Sequence, residues 1–89
     1  MAAKRKTRQA ARPDEDIARD IRHALRLDND VPDERINVQV RTGSVTLEGN
    51  VESTLQKEAA EADARRVRGV LDVINRILVE PAIVGSTGR

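Results

Sequence analysis

Ile36-Asn37-Val38-Gln39-Val40-Arg41-Thr42-Gly43-Ser44-Val45-Thr46-Leu47-Glu48-Gly49-Asn50-Val51 is the stretch that decides the fold. Ile36, Val38 and Val40 alternate with Asn37, Gln39 and Arg41, the period of two expected of a half-buried strand. Thr42-Gly43 interrupts the alternation with a turn signal, Gly43 being free to adopt positive φ. Val45, Leu47 and Val51 then alternate with Thr46, Glu48 and Asn50 on a return strand. Gly49 falls on the apolar face of that strand, where a missing side chain signals a bulge or a close helix–sheet approach. The stretch is therefore an antiparallel hairpin with one face directed to a core.

Upstream, Pro13 followed by Asp14-Glu15-Asp16 opens a helix, since proline suits the first positions and acids oppose the positive end of the helix dipole. Ile17, Ile21, Ala24 and Leu25 recur at helical spacing, so the helix presents one apolar stripe and ends near Leu27, before Asp28-Asn29-Asp30. Downstream, Ser53-Thr54-Leu55-Gln56 reads as a capping box. Leu55, Ala59, Ala62 and Val67 mark the buried side of a second helix, widened by Ala60 and Ala64. Arg65, Arg66 and Arg68 fall in its last turn, where cations suit the dipole, with Gly69 as the residue just past its end. Val70 to Val79 forms the last strand: Leu71, Val73, Ile77 and Val79 share one face around Asn75, while Ile74 and Leu78 flank Arg76 on a second face covered in part. Pro81 ends it.

The order is α-β-β-α-β. The second helix is a crossover between parallel strands. The expected architecture is α+β: a three-stranded mixed sheet with two helices packed on one face, so that every apolar stripe is buried. The expected organisation is a disordered basic tail over residues 1–12, a folded domain over 13–80 and a flexible tail over 81–89. Eighty-nine residues hold one domain, and a body of this size buries only ~60% of its unfolded surface. With no Phe, Trp or Tyr, the core must come from the twenty Ile, Leu and Val residues between Ile17 and Val79.

Composition excludes several chemistries. There are no cysteines, hence no disulfide, thiolate nucleophile or zinc–cysteine site. No stretch approaches the ~18 apolar residues of a membrane span. The basic N-terminus is not followed by an apolar run, so it is not a signal peptide, and a cytoplasmic location is expected, or a periplasmic one if the chain is a fragment of an exported protein. The net charge of +1 conceals an asymmetry. Lys4, Arg5, Lys6, Arg8 and Arg12 give the first twelve residues +5, and the remainder carries −4, from eleven basic and fifteen acidic side chains. Anionic partners meet such a tail first.

His23, the one histidine, lies off the apolar stripe and reads as a solvated imidazole with no Ser or Cys partner motif. Asp28-Asn29-Asp30 with Asp33-Glu34 supplies the oxygen ligands that hard cations prefer. The calcium-loop pattern nevertheless fails, because Pro32 stands where a third ligand is needed, and Asp28, Asp30 and Asp33 remain a weak candidate set in an otherwise solvated loop. No glycine-rich phosphate loop precedes a helix, and the Gly-x-x-Gly loop and aromatics of an RNA-binding KH module are absent. The expected protein is not an enzyme and needs no cofactor.

Taken together, the hairpin from Ile36 to Val51, the helix ending Arg68-Gly69-Val70 and the strand Val73-Ile74-Asn75-Arg76-Ile77 resemble a BON domain, a bacterial module of osmotically induced periplasmic and nodulation-associated proteins, over residues 14–80. The resemblance implies an α-β-β-α-β fold and a non-catalytic binding role, foremost for membrane phospholipid in a stress- or transport-related context. Members are usually exported or envelope-anchored, often in tandem; some stand beside cytosolic nucleotide-sensing modules, and one relative binds potassium. Here a single copy carries a basic tail. Gly43, Gly49, Gly69, Val70, Val73 and Asn75 match the family motif and are expected to be structural. The anion-binding candidates are Lys4, Arg5, Lys6, Arg8, Arg12, Arg65, Arg66 and Arg68. The partner expected is an anionic phospholipid surface or another protein module, the domain being monomeric in isolation. The alternatives are nucleic acid held by the tail and cation sensing by the loop 28–34.

Overall fold

A computed structural model describes residues 12–80. Helix α1 spans Asp14–Leu27, a 3-10 turn Asp33–Arg35, strand β1 Ile36–Arg41, strand β2 Ser44–Val51, helix α2 Thr54–Arg65 and strand β3 Asp72–Val79. The sheet order is β1-β2-β3, with β1 and β2 antiparallel and β2 and β3 parallel. The expected α+β architecture is observed.

The register explains the core. Val38 stands opposite Leu47, Val40 opposite Val45 and Ile36 opposite Gly49. On the other side of β2, Val45 aligns with Val73, Gly49 with Ile77 and Val51 with Val79. One sheet face therefore presents a continuous aliphatic surface. Ile17, Ile21 and Leu25 of α1 and Ala60 and Ala64 of α2 close over it, in a single cluster completed by Val31. Burying an aliphatic side chain of this size contributes roughly 1.5–3 kcal/mol, so the α1 triad alone is a large share of the fold's driving force.

The hairpin turns through Thr42 (φ 50°) and Gly43 (φ 83°), both in the left-handed region, as a two-residue turn matched to strand twist demands. Gly49 has φ 140°, and a Cβ there would collide with the carbonyl oxygen of Arg35. The ladder runs through Gly49 without a bulge, so its purpose is to admit the backbone of the 3-10 turn rather than a helix.

Four local expectations are corrected. First, of the residues expected on the buried side of α2, Ala59 and Val67 pack against the core but Leu55 and Ala62 do not. Leu55 and Ala62 are exposed, and Ala60, Asp63 and Ala64 are buried. Asn75 on β3 donates through Nδ2 to the Lys57 carbonyl and to Glu61 Oε1, both at 3.1 Å, which turns the 57–61–64 side of the helix to the sheet. Secondly, α2 ends at Arg65, leaving Arg66 to Gly69 in a following turn, so only Arg65 is in its last turn and Gly69 is not its C′ residue. Gly69 is instead called for by its positive φ of 96°, with the Ile17 side chain packed close beside it. Thirdly, β3 begins only at Asp72. Leu71 precedes it, donates its N–H to the Gly43 carbonyl at 2.8 Å and is 78% exposed. Fourthly, Ile74 and Leu78 are both exposed, so no described residue covers the second face of β3.

Candidate functional site

The described part of the chain gathers its candidate groups at two places. The first is the end of the molecule where the hairpin turn meets the N-terminus of α1. Asp14 accepts the Thr42 N–H at 2.8 Å and the Gly43 N–H at 3.1 Å through its two carboxylate oxygens. Both turn amides are satisfied in this way, and the first turn of the helix is fixed to the hairpin tip. The Leu71 N–H bond to Gly43 then brings the α2–β3 connection to the same place. Leu71, Pro13, Arg12 and Gly69 line a shallow cavity of about 380 Å³ there.

Arg12, which the sequence groups with the N-terminal tail, is half-buried against the body. Its guanidinium donates to Asp20 Oδ2 at 2.8 Å and to the Arg68 carbonyl at 3.0 Å. That hydrogen bond, foremost, holds the Asp20 carboxyl below its ordinary range. Arg12, Arg66 and Arg68 surround an adjoining cavity of about 380 Å³ with Asp20 and Val67. Three of the basic residues singled out from sequence therefore converge, although Arg12 lies 56 positions from Arg68 in the chain. Arg65 does not join them. It lies on another side of α2, bonded to Glu61 Oε2 at 2.8 Å. That bond and the one from Asn75 hold the Glu61 carboxyl below the usual range. Lys4, Arg5, Lys6 and Arg8 lie outside the described residues.

The second place is where the C-terminal ends of the two helices meet. Asp63 is the one buried charged side chain among the described residues. Its Oδ1 accepts from Arg66 at 2.6 Å, and its Oδ2 has no hydrogen-bond partner. The Asp28 carboxyl stands within hydrogen-bonding reach. Burial, followed by this neighbour, pushes the Asp63 carboxyl up to about 6, and the contact holds Asp28 down. Asp28, Asp30 and Asp33 are not gathered into a cation loop. Asp28 Oδ1 caps the Asp30 N–H at 3.0 Å, and Asp33 is directed at Arg26, 4.0 Å away. Among the described residues no group of three or more His, Cys, Asp or Glu side chains is arranged to hold a metal ion.

His23 is exposed. The family-motif residues occupy framework positions: Gly43 in the turn, Gly49 against the 3-10 turn, Gly69 against Ile17, Val73 in the core, Val70 packed against it and Asn75 tying β3 to α2. Sequence reasoning missed Asp20 and Asp63, and read Asp14 only as a first-turn acid rather than as the acceptor for the hairpin turn. Asp63 was the most accessible of these, since it shares a helical face with Ala60, Ala64 and Val67. For Asp14 and Asp20, whose partners are distant in sequence, there was no local signal. No described helix is long and apolar enough to cross a membrane.

A search of curated proteins returns no match. The family model described as BON domain matches residues 13–81 in a single copy. That match spans every helix and strand described above, and the chain belongs to the BON domain family.

Proposed function

We propose that this protein is a non-catalytic module that associates with anionic phospholipid surfaces through the end bearing Arg12, Arg66, Arg68 and Leu71. The observation that carries the proposal is the convergence of the three arginines on one cavity, adjoining a second cavity rimmed by the exposed Leu71. Guanidinium groups suit phosphate because their donors form a planar fork. An exposed leucine beside them can enter the headgroup region while the cations meet the phosphates, the usual division of labour at a membrane interface. BON domains are binding modules rather than enzymes, and phospholipid is the ligand class associated with them.

Each basic residue near an anionic surface contributes about 1 kcal/mol. Co-sedimentation with phosphatidylglycerol vesicles at low salt should therefore show binding that phosphatidylcholine vesicles do not support. The Arg66→Ala/Arg68→Ala double variant should bind roughly thirtyfold more weakly. Absence of binding to anionic vesicles, or equal binding by the double variant, would sink the proposal. Retention on duplex DNA that disappears on deleting residues 1–11 would favour nucleic acid as the partner of the tail.

A further inference from the structure

We propose that the junction of the two helix C-termini is a binding site for a hard divalent cation, held between the carboxylates of Asp28 and Asp63. Asp28 is the C-cap of α1, and Asp63 lies in the last turn of α2. The negative ends of both helix dipoles therefore point at the same place, and helix C-termini favour cations. Asp28, Asn29, Asp30 and Asp63 line a cavity of about 720 Å³ there, together with Arg66. Three carboxylates against one guanidinium leave two negative charges, the complement of a divalent ion.

The second observation is Asp63 itself. It is 5% exposed, yet Oδ2 meets no donor. Buried carboxylate oxygens are ordinarily partnered, and an orphan in a native structure calls for an ion, a water or a proton. Arg66 already satisfies Oδ1, and the other group within hydrogen-bonding reach of Asp63 is the Asp28 carboxyl, a second oxygen acceptor. Aspartate oxygens, an Asn29 side-chain oxygen and water are the donors that calcium and magnesium prefer, and such ions need only one or two carboxylates when waters complete the shell. The donor set differs from the loop suggested by sequence: Asp33 plays no part, and the deciding ligand comes from the other helix.

The test is an amide NMR titration of the full chain with calcium chloride up to about 20 mM, at about neutral pH and constant ionic strength. Saturable shifts are expected at Asn29, Asp30 and Ala64 to Val67, with a Kd of about 1 mM, typical of low-charge sites. Asp63→Asn and Asp28→Asn should each weaken the response about tenfold or more, whereas Asp33→Asn should bind as the unsubstituted chain does. If Asp63→Asn fails to fold, Asp28→Asn decides, because Asp28 is only half-buried and lies outside the helices. Shifts that do not saturate, that persist in Asp28→Asn, or that potassium chloride reproduces at equal ionic strength would overturn the assignment.

Discussion

Asn75 and Asp63 show how single polar residues set the geometry of an otherwise aliphatic core. Asn75 uses both ends of its amide: Nδ2 donates to Lys57 O and Glu61 Oε1, and Oδ1 accepts the Ile77 N–H at 3.2 Å. Asn75→Ala should lose about 1–3 kcal/mol, because the Lys57 carbonyl and Glu61 lose a donor in a half-buried setting. Urea denaturation measures this, and a loss below about 0.5 kcal/mol would mean that α2 is oriented by apolar packing alone. Asp63 has the opposite character. Its folded-state pKa, about 6, lies above the ordinary 3.8, so the proton it keeps favours folding. That contribution is full below about pH 4 and is lost as the pH rises through about 6. Asp20 and Glu61 are depressed, so their contributions are present above their ordinary values and lost as the pH falls below them. Stability in the presence of a chelator should accordingly decline between about pH 4 and pH 7. Asp63→Asn, whose amide can donate to Asp28, should flatten that decline and exceed the unsubstituted chain at about pH 7.5 by on the order of 1–2 kcal/mol. A decline that persists unchanged in Asp63→Asn would exclude Asp63 as its source.

At the scale of elements, the hairpin and α1 were legible because their apolar residues are large and regularly spaced. Val38, Val45, Leu47, Ile17, Ile21 and Leu25 are all buried as the periods require. Helix α2 was harder to phase. Its buried residues are mainly alanines, whose small apolar area scarcely separates one face from the next. The phase is set by Asn75 from a strand eighteen positions away. The ends of elements followed tertiary contacts as well. β3 starts at Asp72, two residues later than Val70, just after Leu71 donates its N–H to the Gly43 carbonyl. α1 is fixed to the hairpin by the bidentate bonds of Asp14. Asp14→Ala should cost about 1–2 kcal/mol, since two turn amides then rely on water. Equilibrium unfolding would register the loss, and an unchanged midpoint would show that the turn holds without its clasp.

For the whole molecule, the core formed by the described residues lies between Ile17 and Val79, and Arg12 is the most N-terminal contact described. A fragment of residues 12–80 should therefore unfold cooperatively, with a Tm within about 3 °C of the full chain. A drop well beyond that, followed by calorimetry, would mean that residues outside 12–80 contribute to the fold. The open face of the sheet, with Ile74 and Leu78 exposed and Arg76 3.8 Å from Glu48, leaves the two candidate sites at the opposite, helix-bearing side and at the hairpin end. The basic residues expected to bind anions divide in the same way: Arg12, Arg66 and Arg68 converge, while Arg65 is bonded to Glu61.

The sequence by itself determined the order of elements, the hairpin register, the aliphatic character of the core and the positions at which glycine is needed. The order, the hairpin and the turn glycine Gly43 depend on neighbours a few residues apart, through side-chain period, turn stereochemistry or capping, whereas Gly49 answers to the Arg35 carbonyl, fourteen positions away. It took the tertiary structure to show that Leu55 and Ala62 of α2 face away from the core, that Arg12 joins Arg66 and Arg68, and that Asp63 lies opposite Asp28 with an oxygen unsatisfied. Those facts depend on pairs of residues tens of positions apart, and charge and hydropathy along a single segment carry no information about which distant segment it will meet.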